Sequence, residues 1–139
     1  MSFDFKDNGR LPRFDSLEAM ALENDNFRTT LWSGVNLQIT LMTIPKGTEM
    51  GLETHAGIDQ LYQIVQGEAT AQVGKMEDNL EEHLVKAGDS VLVPASMWHN
   101  IINEGNEDVK MITVYGAIEH KPGTVHETRQ ADLDDPNEH

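Results

Sequence analysis

The run GLETHAGIDQLYQIVQG, residues 51–67, decides how the rest of the chain is read. Glu53, His55, Asp59 and Gln60 crowd its first half, and its second half turns apolar and β-prone. In an extended chain, residues i and i+2 project to the same face. Glu53 and His55 therefore point together, into a core or out to water. The turn-forming AGID at 56–59 separates them from Gln60, which heads the next strand and can rejoin the same face. Asp59 is the harder ligand, but it sits one residue off, and a one-residue shift sends a side chain to the opposite face. Register favours Gln60.

Short strands continue on either side. NLQITLMTI at 36–44 alternates Leu37, Ile39, Leu41 and Thr43 against Gln38, Thr40, Met42 and Ile44, and PKG at 45–47 ends it. Its apolar second face would be exposed in a monomer, so a homodimer is expected. Further strands are predicted at 60–66, 68–73, 82–86, 90–93, 98–102 and 109–116, punctuated by Gly67, Gly74, Gly88, Gly105 and Gly116. Many short strands at regular spacing imply an all-β fold, here a small antiparallel barrel or jelly roll. Before it, SLEAMALEN at 16–24 reads as one or two helical turns capped by Asp15 or Ser16, or equally as a strand. The expected organisation is a short irregular or helical N-terminal arm over 1–26, a barrel over 27–120 and a C-terminal tail over 121–139.

The 139 residues carry 24 acidic against 10 basic side chains, a formal net charge of -14. Such a surface repels phosphate backbones and anionic membranes, so no nucleic acid and no membrane partner is expected. No apolar run approaches the roughly 20 residues of a membrane span. The acidic runs MEDNLEE, NEGNED and ADLDDPNEH read as solvated surface. With 38% hydrophobic and 24% charged residues, the chain has the composition of one globular domain with a single core. It has no cysteine, which removes disulfides, thiolate chemistry and sulfur metal ligands. The start MSFDFKDNGR lacks the apolar region of a signal peptide, and both features agree with a cytoplasmic location.

A second polar stretch, GDSVLVPASMWHNIIN at 88–103, supplies a strand, a Pro-centred turn and then His99 at the head of another strand. Two imidazoles and a carboxylate drawn from separate strands make the facial-triad kind of site. The two stretches together resemble the paired motifs of the cupin superfamily. The first motif, G-xxxxx-H-x-H-xxxx-E-xxxxxx-G, keeps every spacing in Gly47, Glu53, His55, Gln60 and Gly67. The second, G-xxxxx-P-x-G-xx-H-xxx-N, is met by Gly88, Pro94, His99 and Asn103, with Ser96 where glycine is usual. Glu53 to Gln60, read as E-x-H-xxx-DQ, and GTVH at 123–126 also resemble a subgroup of uncharacterised small single-domain cupins.

The resemblance implies a double-stranded β-helix and a metal site at Glu53, His55, Gln60 and His99 for a divalent transition metal (Fe, Mn, Ni or Zn). Cupins usually present three histidines and one glutamate. Here Glu53 stands at the first histidine position and Gln60 at the glutamate position, so the carboxylate has moved and a neutral amide, a weaker ligand, has replaced it. The implied function is an enzyme of oxygenase, isomerase or lyase type acting on a small organic molecule. No residue identifies itself as a separate general base. The alternative is a non-catalytic small-molecule-binding or sensing cupin in which Glu53 and Gln60 only hydrogen-bond. Plainer readings are a solvated turn pair for Glu53 and His55 and a satisfied core histidine for His99. Met42, Met50, Met97 and Met111 read as gap-filling core, and Trp98 as packing away from the cavity. His83 reads as a surface residue. His120 and His126, in a Pro- and Gly-bearing segment, either close over the barrel mouth or, as favoured, lie on the surface. Gly88 and Asn103 read as turn residues.

Overall fold

The protein is described by a computed structural model, which covers residues 3–136 and Glu138. In chain order the elements are α1 (Leu17–Glu23), β1 (Arg28–Ser33), β2 (Gln38–Ile44), β3 (Gln60–Gln66), β4 (Glu68–Met76) and β5 (Asn79–Lys86). They continue as β6 (Ser90–Val93), β7 (Trp98–Ile102), β8 (Val109–Tyr115), β9 (Val125–His126) and α2 (Arg129–Asp134). The strands form two antiparallel sheets, ordered β6-β3-β8-β2-β1-β9 and β5-β4-β7. The all-β jelly-roll expectation holds. No helix among the described residues is long and apolar enough to cross a membrane.

Alternation builds the interior. In β3, Gln60, Tyr62 and Ile64 are buried, while Leu61, Gln63 and Val65 are half-exposed. Tyr62 and Ile64 join Met42, Met111, Ala71 and Ile101 in one core that takes side chains from both sheets. Met42, Met50 and Met111 lie in that core, and Met97 packs against it, as expected. Between β3 and β4 the chain turns at Gly67, with φ +88°, where a Cβ would stand 2.9 Å from the Asp108 carbonyl oxygen. Only glycine meets both demands.

SLEAMALEN resolves as helix. The Ser16 side chain accepts from the Ala19 N–H, a side-chain N-cap. Met20 and Ala21 of α1 pack with Leu31, Leu41 and Ile112, flanked by Phe3, Phe5 and Ile39, on the outer face of the larger sheet. The apolar second face of β2, on which the homodimer was argued, is thus covered by the chain's own N-terminal residues.

Two segments carry the candidate site. Residues 49–53 run antiparallel beside β7: Met50 N–H donates to Ile101 O (2.8 Å), Glu53 N–H to His99 O (3.0 Å), and His99 N–H to Glu53 O (2.9 Å). β3 and β8 lie side by side, with Gln60 opposite Tyr115. Asn103 keeps its turn role: its buried amide donates to Ile44 O and Glu107 O, both at 2.9 Å, and its Oδ1 accepts from Gly105 N–H.

His120 and His126 depart from their expected surface placement. Both are buried, at 4% and 3% exposure, because the C-terminal segment folds back: β9 pairs with β1, and α2 follows it. His83 is on the surface as expected, beside Glu81.

Candidate metal centre

The backbone explains why the side chains converge. Glu53 and His99 face each other across a mutual pair of hydrogen bonds, so their side chains leave the same side of the ladder. His55, two residues on from Glu53, joins them. Oε1 of Glu53 lies 3.4 Å from Nε2 of His55 and 4.0 Å from Nε2 of His99, and the two imidazole centroids are 5.2 Å apart. One ligand atom from each of the three residues fits within 4.8 Å of the others. Ligand bonds of about 2.0–2.2 Å to one ion put neighbouring donors at most ~4.4 Å apart, so the cluster needs little adjustment to close on a metal.

Gln60 is interior and Asp59 is not. Asp59 is exposed, and its Oδ1 accepts from the Ala95 N–H at 2.8 Å. Gln60 is 4% exposed and shares a strand face with Tyr62, whose ring lies 5.8 Å from His99. Its cross-strand partner Tyr115 stands 5.8 Å from the His55 ring. Both amide atoms of Gln60 lack a hydrogen-bond partner.

The ring protons are placed by groups around the cluster. Nδ1 of His55 lies 2.9 Å from a Glu119 carboxylate oxygen, and Nδ1 of His99 donates to the Met97 carbonyl at 3.1 Å. Each contact draws the proton to Nδ1 and turns an Nε2 lone pair inward, the usual support of a metal-ligating histidine. Neither Nε2 atom nor Glu53 Oε1 has an aligned hydrogen-bond partner, and all three are buried. Unpaired buried polar atoms are costly. An ion between them would satisfy the whole set, so these residues fit a divalent transition metal.

Charge follows the same layout. Burial disfavours the His55 imidazolium, but the Glu119 and Glu53 carboxylates outweigh it and push the pKa up to about 9. Burial alone would raise the Glu53 carboxyl; His55, Arg28 and His99 more than offset this and hold it below its ordinary value. His99 is shifted down by burial and is neutral near pH 7. A metal must displace the His55 proton. The pH window for binding therefore moves above the unperturbed histidine value.

The cluster opens on a cavity of about 280 Å³ whose walls include Met50, Leu52, Glu119, Arg129 and Leu133. Sequence reasoning named Glu53, His55, Gln60 and His99 and did not name Glu119 and Arg129. Neither missed residue belongs to a motif or an alternating face; Arg129 opens a six-residue helix and Glu119 lies in a loop.

A family model for the cupin domain matches residues 40–115. The chain is 39% identical over 125 residues to the uncharacterized Bacillus subtilis protein YrkC, covering 89% of this chain and 67% of that one. It is 34% identical over 73 residues to an oxalate-binding protein of Thermotoga maritima, covering 52% and 56% of the two chains. A crystal structure of the Bacillus halodurans protein BH2720 superposes with a TM-score of 0.92 at 37% identity, covering 94% of this chain and 99% of that one. This chain belongs to the cupin family.

Proposed function

We propose that this protein is a metal-dependent cupin enzyme acting on a small organic molecule, with chemistry of the oxygenase, isomerase or lyase type. Glu53, His55 and His99 hold a divalent transition metal (Fe, Mn, Ni or Zn), and Gln60 is a weaker fourth partner. One observation carries this reading: Glu53 Oε1, His55 Nε2, His99 Nε2 and Gln60 Oε1 are all buried without hydrogen-bond partners. Carboxylate and imidazole donors without thiolate suit these metals. When bound, the metal supplies Lewis acidity or a site for redox chemistry. The chain's own residues orient and shield: Glu119 and the Met97 carbonyl fix the two rings, while Met50 and Leu133 narrow the cavity. The name of the Thermotoga maritima relative supports a small-molecule ligand for this cavity.

A second reading has its own support. With His55 raised to about 9 and Glu53 lowered, the metal-free cluster is an ion pair at neutral pH, as a non-catalytic binding or sensing cupin would use. Plasma mass spectrometry of dialysed, untagged protein separates the two. The enzyme reading expects about one metal per chain in wild type and none in His99→Ala. Equal content in both puts the binding module ahead. Self-association with a second copy is also part of the proposal, and sedimentation equilibrium showing only a 15.5 kDa species at micromolar concentration removes it.

A further inference from the structure

The cavity beside the candidate metal centre is lined by Glu53, Glu119, Asp132, Glu138 and Arg129. Each carboxylate has a basic group beside it, although Oε1 of Glu53 and Oε1 of Glu138 make no aligned hydrogen bond. Glu53 faces His55 and His99, and Glu119 holds Nδ1 of His55 at 2.9 Å. Asp132 accepts from Arg28 at 2.7 Å, and Glu138 accepts from Nδ1 of His120 at 2.5 Å.

Arg129 is different. It is half-buried at the start of α2, and its Nε–H donates to the Met50 carbonyl at 3.2 Å. Among the described residues its guanidinium makes no ion pair. Gly51, also in the cavity wall, gives it a seat: a Cβ there would come within 2.9 Å of Nη2, and the φ of +109° is itself a glycine conformation. An arginine anchored through Nε, with its Nη groups uncommitted, presents the fork that pairs with a carboxylate.

We infer that the cavity takes a small carboxylic acid and that Arg129 recognises its carboxylate, the rest of the molecule reaching toward Glu53, His55 and His99. The cavity, at about 280 Å³, is smaller than the roughly 300–1,000 Å³ of pockets for drug-sized ligands. It suits a molecule of few heavy atoms. On a chain of net charge -14, an anion is drawn only where a local cation is uncommitted, and in this cavity that cation is Arg129. Arg129 lies outside residues 40–115, so it is contributed by this chain's C-terminal helix and not by the barrel that matches the family. The inference rests on the metal-centre reading for the far end of the ligand.

The test is calorimetric titration of metal-loaded full-length chain with malonate and glycolate, and with malonamide and glycolamide as neutral counterparts. Wild type, Arg129→Gln and Arg129→Lys are compared, with metal content measured before and after. The acids should bind wild type, and the amides should bind at least about tenfold more weakly. Arg129→Gln should weaken the acids by roughly 10- to 100-fold, the range for a charge-assisted hydrogen bond, at unchanged metal content. Arg129→Lys keeps the charge without the fork and should fall between. Acids that bind Arg129→Gln as tightly as wild type, amides that match the acids, or metal-loaded wild type that binds neither acid would each overturn the inference. A wild-type chain that takes up no metal is a failure of the metal-centre reading instead. The same titration of metal-free protein then decides the role of Arg129: a loss in Arg129→Gln supports it, and equal binding overturns it.

Discussion

Two clusters in this fold have nearly the same ingredients. Glu53, His55 and His99 form one; His126, Asp135 and Glu138 form the other, and each brings ligand-type atoms within 4.8 Å of one another. Their ring protons differ. In the first, Glu119 and the Met97 carbonyl take the Nδ1 protons and leave both Nε2 atoms unpaired. In the second, the Arg28 guanidinium donates to Nδ1 of His126 at 3.2 Å, so the proton sits on Nε2 and is given to Asp135 at 3.0 Å. An arginine only donates, so that tautomer is imposed. His120 is spent as well, between the Tyr115 hydroxyl at 3.1 Å and Glu138. In the first cluster two imidazole nitrogens and a carboxylate oxygen are left buried and unpaired; in the second only Glu138 Oε1 is, and its histidines tie the C-terminal segment to β1 and β8 as a latch.

The largest expected effect breaks the comparison outright. His99→Ala should lose metal retention completely, and His126→Ala should keep one metal per chain. Two metals per chain in wild type, falling to one in His126→Ala, would show that the latch binds metal after all.

Arg28→Met tests the latch for what it holds together. Arg28 is 1% exposed and bonds both Asp132 and His126, and removing one partner of a buried pair costs about 3–5 kcal/mol. Chemical denaturation of the metal-free variant measures it, and a loss below about 1 kcal/mol would mean that the latch contributes little.

The first cluster also responds to pH. In metal-free protein His55 has a folded pKa of about 9, above the ordinary value of 6.5. Between those values the folded state holds a proton that the unfolded chain lacks, so stability is full below 6.5 and is lost as pH rises through about 9. The slope can reach about 1.4 kcal/mol per pH unit. His99, shifted down, works the other way: its contribution is lost as pH falls below 6.5. Melting temperatures from pH 6 to 10 should therefore decline in metal-free protein. The gap between metal-loaded and metal-free protein should widen with pH, because binding releases the His55 proton. A gap that stays constant would show that no proton is exchanged.

Glu119→Gln is a smaller step. It keeps the shape of the side chain but removes the charge that fixes the His55 ring, and loss of such a supporting carboxylate typically costs 10–100-fold in metal affinity. Competition with a chelating dye reads this directly, and an unchanged affinity would reduce Glu119 to a wall residue.

Much of this was legible from residue order alone. Alternation in 36–44 and 60–66 placed two strands and their inner faces, and the i, i+2 spacing put Glu53 with His55. Register separated Gln60 from Asp59, and the structure puts Gln60 inside and Asp59 outside. Legibility failed where a residue's environment is made by a partner far along the chain. His126 lies in a Pro- and Gly-bearing segment that reads as surface, yet Arg28, 98 residues earlier, buries it. The second face of β2 looked exposed because nothing in 36–44 announces that Phe3, Phe5 and α1 pack against it. Glu119 and Arg129 carry no periodic or motif signal, since each acts from a segment that only the closed fold brings to the cavity.

The smallest expected effect concerns the turn that steadies His55. The second cupin motif usually has glycine at the position of Ser96, and Ser96 has a φ of +69°, the left-handed conformation that glycine adopts freely. A non-glycine residue there costs about 1–2 kcal/mol. The side chain gives part of this back: Oγ accepts from the Gly57 N–H at 3.1 Å, and the Ser96 N–H donates to the His55 carbonyl at 3.0 Å, tying residues 55–57 to the turn before β7. Ser96→Gly relieves the strain, loses the Oγ bond, worth about 0.5–1.5 kcal/mol, and adds freedom to the unfolded chain. Those contributions nearly cancel, so stability should move by less than about 1 kcal/mol. Ser96→Ala keeps the strain and loses the bond, and should be the less stable of the two. The order of melting temperatures is the check: if Ser96→Ala matches or exceeds Ser96→Gly, backbone strain at this turn is not what the family's usual glycine relieves.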